Sequence, residues 1–78
     1  MVKAYIQLES YDDVMRFHKA ASACRYDLKI QKDADVINAK SLMGLLCVGT
    51  GRVISLIAKC NDRGDVINKF GDFIVNGF

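Results

Sequence analysis

Apolar and polar residues alternate from Val2 to Leu8, with Val2, Ala4, Ile6 and Leu8 on one face and Lys3, Tyr5 and Gln7 on the other. A period of two with one polar side predicts a half-buried strand in a sheet that has one wet face. Ser10 then stands as an N-cap with Asp13 three residues on, a shortened capping box. Val14, Phe17, Ala21 and Cys24 recur at helical spacing and predict a helix from about Tyr11 to about Arg25. Residues 26–31 alternate again, 32–35 form a polar turn and 36–39 a third short strand, so this stretch reads as a hairpin. Ser41 opens a short apolar helix that Gly49 stops. From Arg52 to Cys60 a fourth strand points Ile54, Leu56 and Ala58 inward. Asn61-Asp62 caps a last helix whose stripe is Val66, Ile67, Phe70, Phe73 and Ile74. Gly71 lowers that helix's stability by about 1 kcal/mol relative to alanine, which predicts a frayed end.

The order β-α-β-β-α-β-α places an apolar face on four strands and matching stripes on two long helices. The economical packing is an α+β open-faced sandwich: one four-stranded antiparallel sheet covered on one side by the helices. The short middle helix falls at the edge, near the start of the first long one. Nearly every residue of 42–48 is apolar, so this helix must be fully buried or must offer part of itself to a partner. In so small a protein the second alternative is the expectation.

A length of 78 residues is read as one domain, 1–78, with no room for a second core. The net charge of +2 comes from eleven Lys and Arg residues scattered without a run, so no basic stripe points to nucleic acid. Cys24, Cys47 and Cys60 are widely spaced and odd in number, which reads as free thiols in a reducing cytoplasm rather than a disulfide or zinc framework. No apolar run is long enough for a membrane span, and the start of the chain lacks the pattern of a signal peptide. His18 is isolated inside the first helix, without a nucleophile and orienting group around it. Gly49-Thr50-Gly51 follows a helix instead of joining a strand to one, so it is no nucleotide loop. The chain is read as no enzyme and as needing no cofactor or metal.

The stretch Asn38-Ala39-Lys40-Ser41-Leu42-Met43-Gly44-Leu45 resembles the regulatory-serine signature of the HPr family, the histidine-containing phosphocarriers of the sugar phosphotransferase system. Ala20-Ala21-Ser22 and Asp27-Leu28 fall at the spacing seen in that family's first helix and second strand. The resemblance covers nearly the whole chain and shares its element order, with a shortened loop at 48–52 and a C-terminal part that matches only in pattern. It implies a carrier site just before the first helix, where the family has a histidine followed by Ala-Arg-Pro. That site holds a phosphate with an imidazole, helix N-terminal amides and an arginine. Here the histidine position is Ser10 and the arginine position is Asp12. Asp12 and Asp13 repel a second anion from that turn, so relay through histidine is expected to be lost.

What the resemblance then implies is a regulatory or protein-binding domain. Ser41 matches the serine that a kinase phosphorylates in the family, and the helix after it docks on partners. Leu42, Met43 and Leu46 make the expected docking patch, with Met15 and Arg16 as neighbours. A phosphate at Ser41 would add about −1.5 to −2 charges at a helix N-terminus. The plainer alternative is that Ser41 only caps and the leucines only pack. Two further readings stand beside these: a pathway member still touching Enzyme I or an Enzyme IIA, and a homodimerising module outside sugar uptake. The partners expected are proteins (HPr kinase, a transcriptional regulator, phosphotransferase enzymes or a second copy), with neither nucleic acid nor membrane. The expected location is the cytoplasm.

Overall fold

The computed structural model describes residues 1–76. The alternation at the start of the chain becomes β1, Val2–Gln7, with Val2, Ala4 and Ile6 buried. The other elements are α1 (Tyr11–Ser22), β2 (Leu28–Lys32), β3 (Asp35–Asn38), α2 (Leu42–Val48), β4 (Val53–Ala58), α3 (Arg63–Phe70), a 3-10 turn (Gly71–Phe73) and β5 (Ile74–Asn76). All strand pairs are antiparallel, in the order β3-β2-β4-β1-β5. The expected open-faced sandwich is the observed architecture, with five strands where four were expected.

The fifth strand is a correction with a clear cause. Phe70, Phe73 and Ile74 sit at helical spacing, yet the chain leaves the helix after Phe70. β1 is paired on one side by β4 and has a free edge on the other, and Ile74 and Asn76 take that edge opposite Ile6 and Tyr5. Unpaired strand amides and carbonyls reward this more than another turn of helix would. The 3-10 turn also returns Phe73 to the core, where its ring stands edge-on to Phe17 at 5.6 Å. Ile67, expected in the apolar stripe, is exposed.

Other boundaries move too: Lys32 and Asp35, expected in the turn, pair as the ends of β2 and β3, Ala39 falls outside β3, and β4 is shorter than Arg52 to Cys60. α1 ends at Ser22 instead of Arg25, because the Ala23 amide turns back to the Lys19 and Ala21 carbonyls and Cys24 donates to Ala21. Tyr26 and Asp27 precede β2 rather than belonging to it. The Tyr26 hydroxyl donates to Asp65 Oδ2 on α3 at 2.8 Å, and the Asp27 carbonyl accepts from the Lys59 amide. Lys69 reaches the same carboxylate at 3.0 Å and lies 5.4 Å from the Tyr26 ring centroid.

This triad shapes the pH dependence. Burial first, then the Asp65 carboxylate, pushes the Tyr26 phenol above its ordinary range. The hydrogen bond from Tyr26, then Lys69, holds the Asp65 carboxyl below its ordinary value. A raised phenol contributes stability below the unfolded pKa of about 10 that is lost as the pH rises past it. The lowered carboxyl contributes stability above the unfolded pKa of about 4 that is lost as the pH falls. The thermal midpoint is therefore expected to decline on both sides, and Tyr26→Phe to remove much of the alkaline decline. Calorimetric melts from pH 3 to 11 check this; an alkaline limb unchanged in the variant would assign it to other groups.

The core lies between the sheet and the two long helices. Phe17 is fully buried against Phe70, whose ring centroid is 5.2 Å away, with Leu28, Ile30, Leu45, Leu56 and Val66 also at 0% exposure. Among the described residues no buried polar side-chain atom lacks a hydrogen-bond partner. No helix of the described residues is long and apolar enough to cross a membrane.

Candidate functional site

Two helix starts and the helix faces beside them hold the residues singled out in the sequence. At the first, Ser10 has extended backbone angles and its Oγ accepts from the Asp13 amide at 3.2 Å. Asp13 Oδ2 in turn accepts from the Glu9 amide at 3.0 Å, one residue before the cap, so the short aspartate ties down the entry to the helix in place of the Ser10 amide that a full capping box would use. Asp12 is exposed in the same turn. Glu9, Asp12 and Asp13 thus crowd carboxylates where a helix start would otherwise attract an anion. Arg16, one turn on, lies 4.0 Å from Asp13 and 3.7 Å from Asp72, and its guanidinium covers the Phe73 ring at 5.2 Å. These contacts draw Arg16 toward the 3-10 turn, a long-range pairing that no local pattern announces.

At the second helix start, the Ser41 Oγ accepts from the Gly44 amide at 3.2 Å and its carbonyl accepts from Leu45. The Ser41 amide itself donates to the Asn38 carbonyl at 3.0 Å, and Asn38 Oδ1 accepts from the Lys40 amide. Lys40 Nζ reaches the Cys24 carbonyl at 2.9 Å, pinning this corner to the end of α1. The serine is half-buried and held by its backbone on both sides.

α2 divides its apolar surface. Leu45 and Val48 enter the core, and Leu42 is half-buried against it. Met43 is 74% exposed and Leu46 43%, with Cys47 beside them in solvent. α1 packs against α2 and adds Met15, 37% exposed. Met15, Arg16, His18, Lys19 and Ser22 line an open depression of about 470 Å³ on the outer side of α1. His18 Nε2 lies 3.4 Å from Ser22 Oγ, a weak contact along one helix face. Sequence reasoning found the two serine caps and the apolar helix. It did not find the ties from Arg16 to Asp72 or from Lys40 to Cys24, which join residues far apart in the chain.

Past α2, Gly49 has φ 81° and ψ −169°, a region in which a side chain is strained. This sharp exit lets the Gly51 amide bond the Leu8 carbonyl at 2.7 Å and ties the loop to the end of β1.

The family model for the PTS HPr component phosphorylation site matches residues 14–76, taking in Ser41 and α2 while Ser10 and Asp12 lie upstream. The chain belongs to the HPr family. It is 35% identical over 60 residues to the HPr-like protein Crh of Bacillus subtilis, covering 74% of this chain and 71% of that protein. The HPr-like protein Crh of Halalkalibacterium halodurans is 37% identical over 60 residues, with the same coverage. Among solved structures, the crystal structure of HPr-C-His from Thermoanaerobacter tengcongensis superposes with a TM-score of 0.78 at 27% identity, over 95% of this chain and 91% of that one. The phosphocarrier protein HPr from Bacillus anthracis shares the fold, with a TM-score of 0.74 at 23% identity over 95% and 96%.

Proposed function

We propose that this HPr-family protein acts as one domain that works by docking on protein partners, not by relaying phosphate through a histidine. Its docking surface is the outer side of α2, Met43 and Leu46 with the rim of Leu42, extended by Met15 and Arg16 on α1. Ser41 is the residue through which a kinase controls that surface. The observation that carries this reading is the division of α2: a half-buried serine cap leads directly into exposed Met43 and Leu46, while the other start, at Ser10, is filled by carboxylates. Exposed apolar side chains in a small domain have a use when a partner covers them. The partners of this reading are HPr kinase, a transcriptional regulator or phosphotransferase enzymes, met in the cytoplasm.

A phosphate on Ser41 keeps an oxygen on the Gly44 amide and adds charge that the helix start stabilises. It also presents acceptor oxygens to a partner's arginine, beside the apolar patch. Incubation with HPr kinase and ATP, followed by intact-mass analysis, is expected to add one phosphate to the wild type and none to Ser41→Ala. An unmodified wild type would remove the switch from this reading. Ser41→Ala is also expected to lose about 1 kcal/mol of stability through the missing cap, whereas Ser41→Asp keeps it. Transfer of label from phosphoenolpyruvate and Enzyme I, labile in acid and stable in base, would instead favour a surviving carrier role.

A further inference from the structure

We infer that the open face of the sheet carries a second binding site, a groove that takes a small organic phosphate with a flat ring, the chemistry of a mononucleotide. The groove has a volume of about 270 Å³ and lies between β1, β2, β4 and the β2–β3 turn. Its floor is a row in register across three strands: Tyr5 opposite Ser55, and Ser55 opposite Gln31. Ring, hydroxyl and amide therefore stand side by side over about 10 Å, two strand spacings.

The charge of the groove selects the ligand. Lys3, Lys32 and Arg52 line it against one carboxylate, Asp33, an excess equal to the +2 of the whole chain. Lys32 Nζ is turned to the Val48 carbonyl at 2.9 Å, which leaves Lys3 and Arg52 to meet an anion. The Arg52–Asp33 pair is 3.3 Å long with both side chains more than half exposed, so an anion competes with it at little cost. Lys3 Nζ lies over the Tyr5 ring, 5.9 Å from its centroid, and the ring is 44% exposed, so a stacking ligand moves this loosely held ammonium to the ring's edge. A ring stacked on Tyr5 would thus place its phosphate within the field of both cations. Ligand clefts commonly hold about 300–1,000 Å³; a groove of about 270 Å³, just below that range and open to solvent, holds part of a mononucleotide and has no room for a dinucleotide cofactor. The helices cover the opposite face, so occupancy leaves α2 free for a partner.

The test is titration of AMP into the full-length isotope-labelled protein, followed by amide resonances, with adenosine and inorganic phosphate as separate probes. Saturable shifts at Lys3, Tyr5, Gln31 and Ser55 are expected, with AMP binding more tightly than either part alone. Arg52→Gln and Lys3→Gln are each expected to weaken AMP by about tenfold, the scale of one charge-assisted contact, and Tyr5→Leu to remove its advantage over phosphate. All three side chains face solvent, so well-dispersed spectra of the variants verify folding. The inference is overturned if millimolar AMP leaves the groove unshifted, if the shifts fall on α1 and α2, or if the two charge variants bind as the wild type does. Phosphate binding as tightly as AMP would overturn the role of the ring.

Discussion

Phe17→Ala is expected to cost about 3–5 kcal/mol, the usual loss for deleting a fully buried aromatic ring. Phe17 holds α1 to both parts of the C-terminal region, through Phe70 on α3 and Phe73 on the 3-10 turn. A domain of this size has a total stability of about 4–12 kcal/mol, so one substitution removes a large share of it. Each kcal/mol shifts the midpoint of a 60–100-residue domain by about 4–8 °C, giving an expected fall of at least about 12 °C. Urea titration and thermal melts followed by circular dichroism read both quantities. A loss below about 1 kcal/mol would mean that the ring cluster does not join the two helices as the geometry requires. Phe17→Leu, which refills part of the volume, is expected to recover more than half of the loss.

The second large effect tests the docking surface proposed for α2. Met43→Glu combined with Leu46→Lys replaces the exposed apolar side of α2 by charge. Each new charge suits the nearer end of the helix dipole, so α2 itself is not penalised. Burying a Met or Leu side chain in an interface is worth about 1.5–3 kcal/mol, and the variant would also have to bury two charges. The efficiency of HPr kinase on Ser41, as kcat/KM, is therefore expected to fall by about a hundredfold or more, with stability changed by less than about 0.5 kcal/mol. An unchanged kcat/KM in a folded double variant would show that the exposed side of α2 does not dock the kinase.

How much of this was legible beforehand follows from the range of each interaction. The alternation of β1 was readable because one face of the sheet is wet, so the period of two survives in the sequence. The caps at Ser10, Ser41 and Asp62 were readable because capping is local; in each case the side chain accepts from an amide three residues on. Residues 73–76 misled, since Phe70, Phe73 and Ile74 carry a helical period and only the free edge of β1, some seventy residues earlier in the chain, makes them a turn and a strand. Tyr26 alternates like a strand residue but is claimed by Asp65, 39 positions away. For the site, an all-apolar helix announces that something must cover it. It does not say which half, because Leu45 and Leu46 are chemically alike and only the packing sends one inward and the other out. The groove on the open face was invisible for a similar reason: Tyr5, Ser55 and Gln31 are ordinary sheet residues until three strands align them.

The position of β1 in the sheet has a consequence for how the protein comes into being. Its neighbours, β4 and β5, both come from the last third of the chain. Of the five strands β1 is made first, and its partner β4 follows only after α1, β2, β3 and α2. The hairpin of β2 and β3 and the capped start of α1 can form early, being local, but neither can close a core alone. The chain cannot be cut into an N-terminal half that folds by itself, and a truncation near the C-terminus exposes the edge of the oldest strand. Loss of residues 74–76 therefore leaves β1 with an open edge on which a strand of another chain can pair.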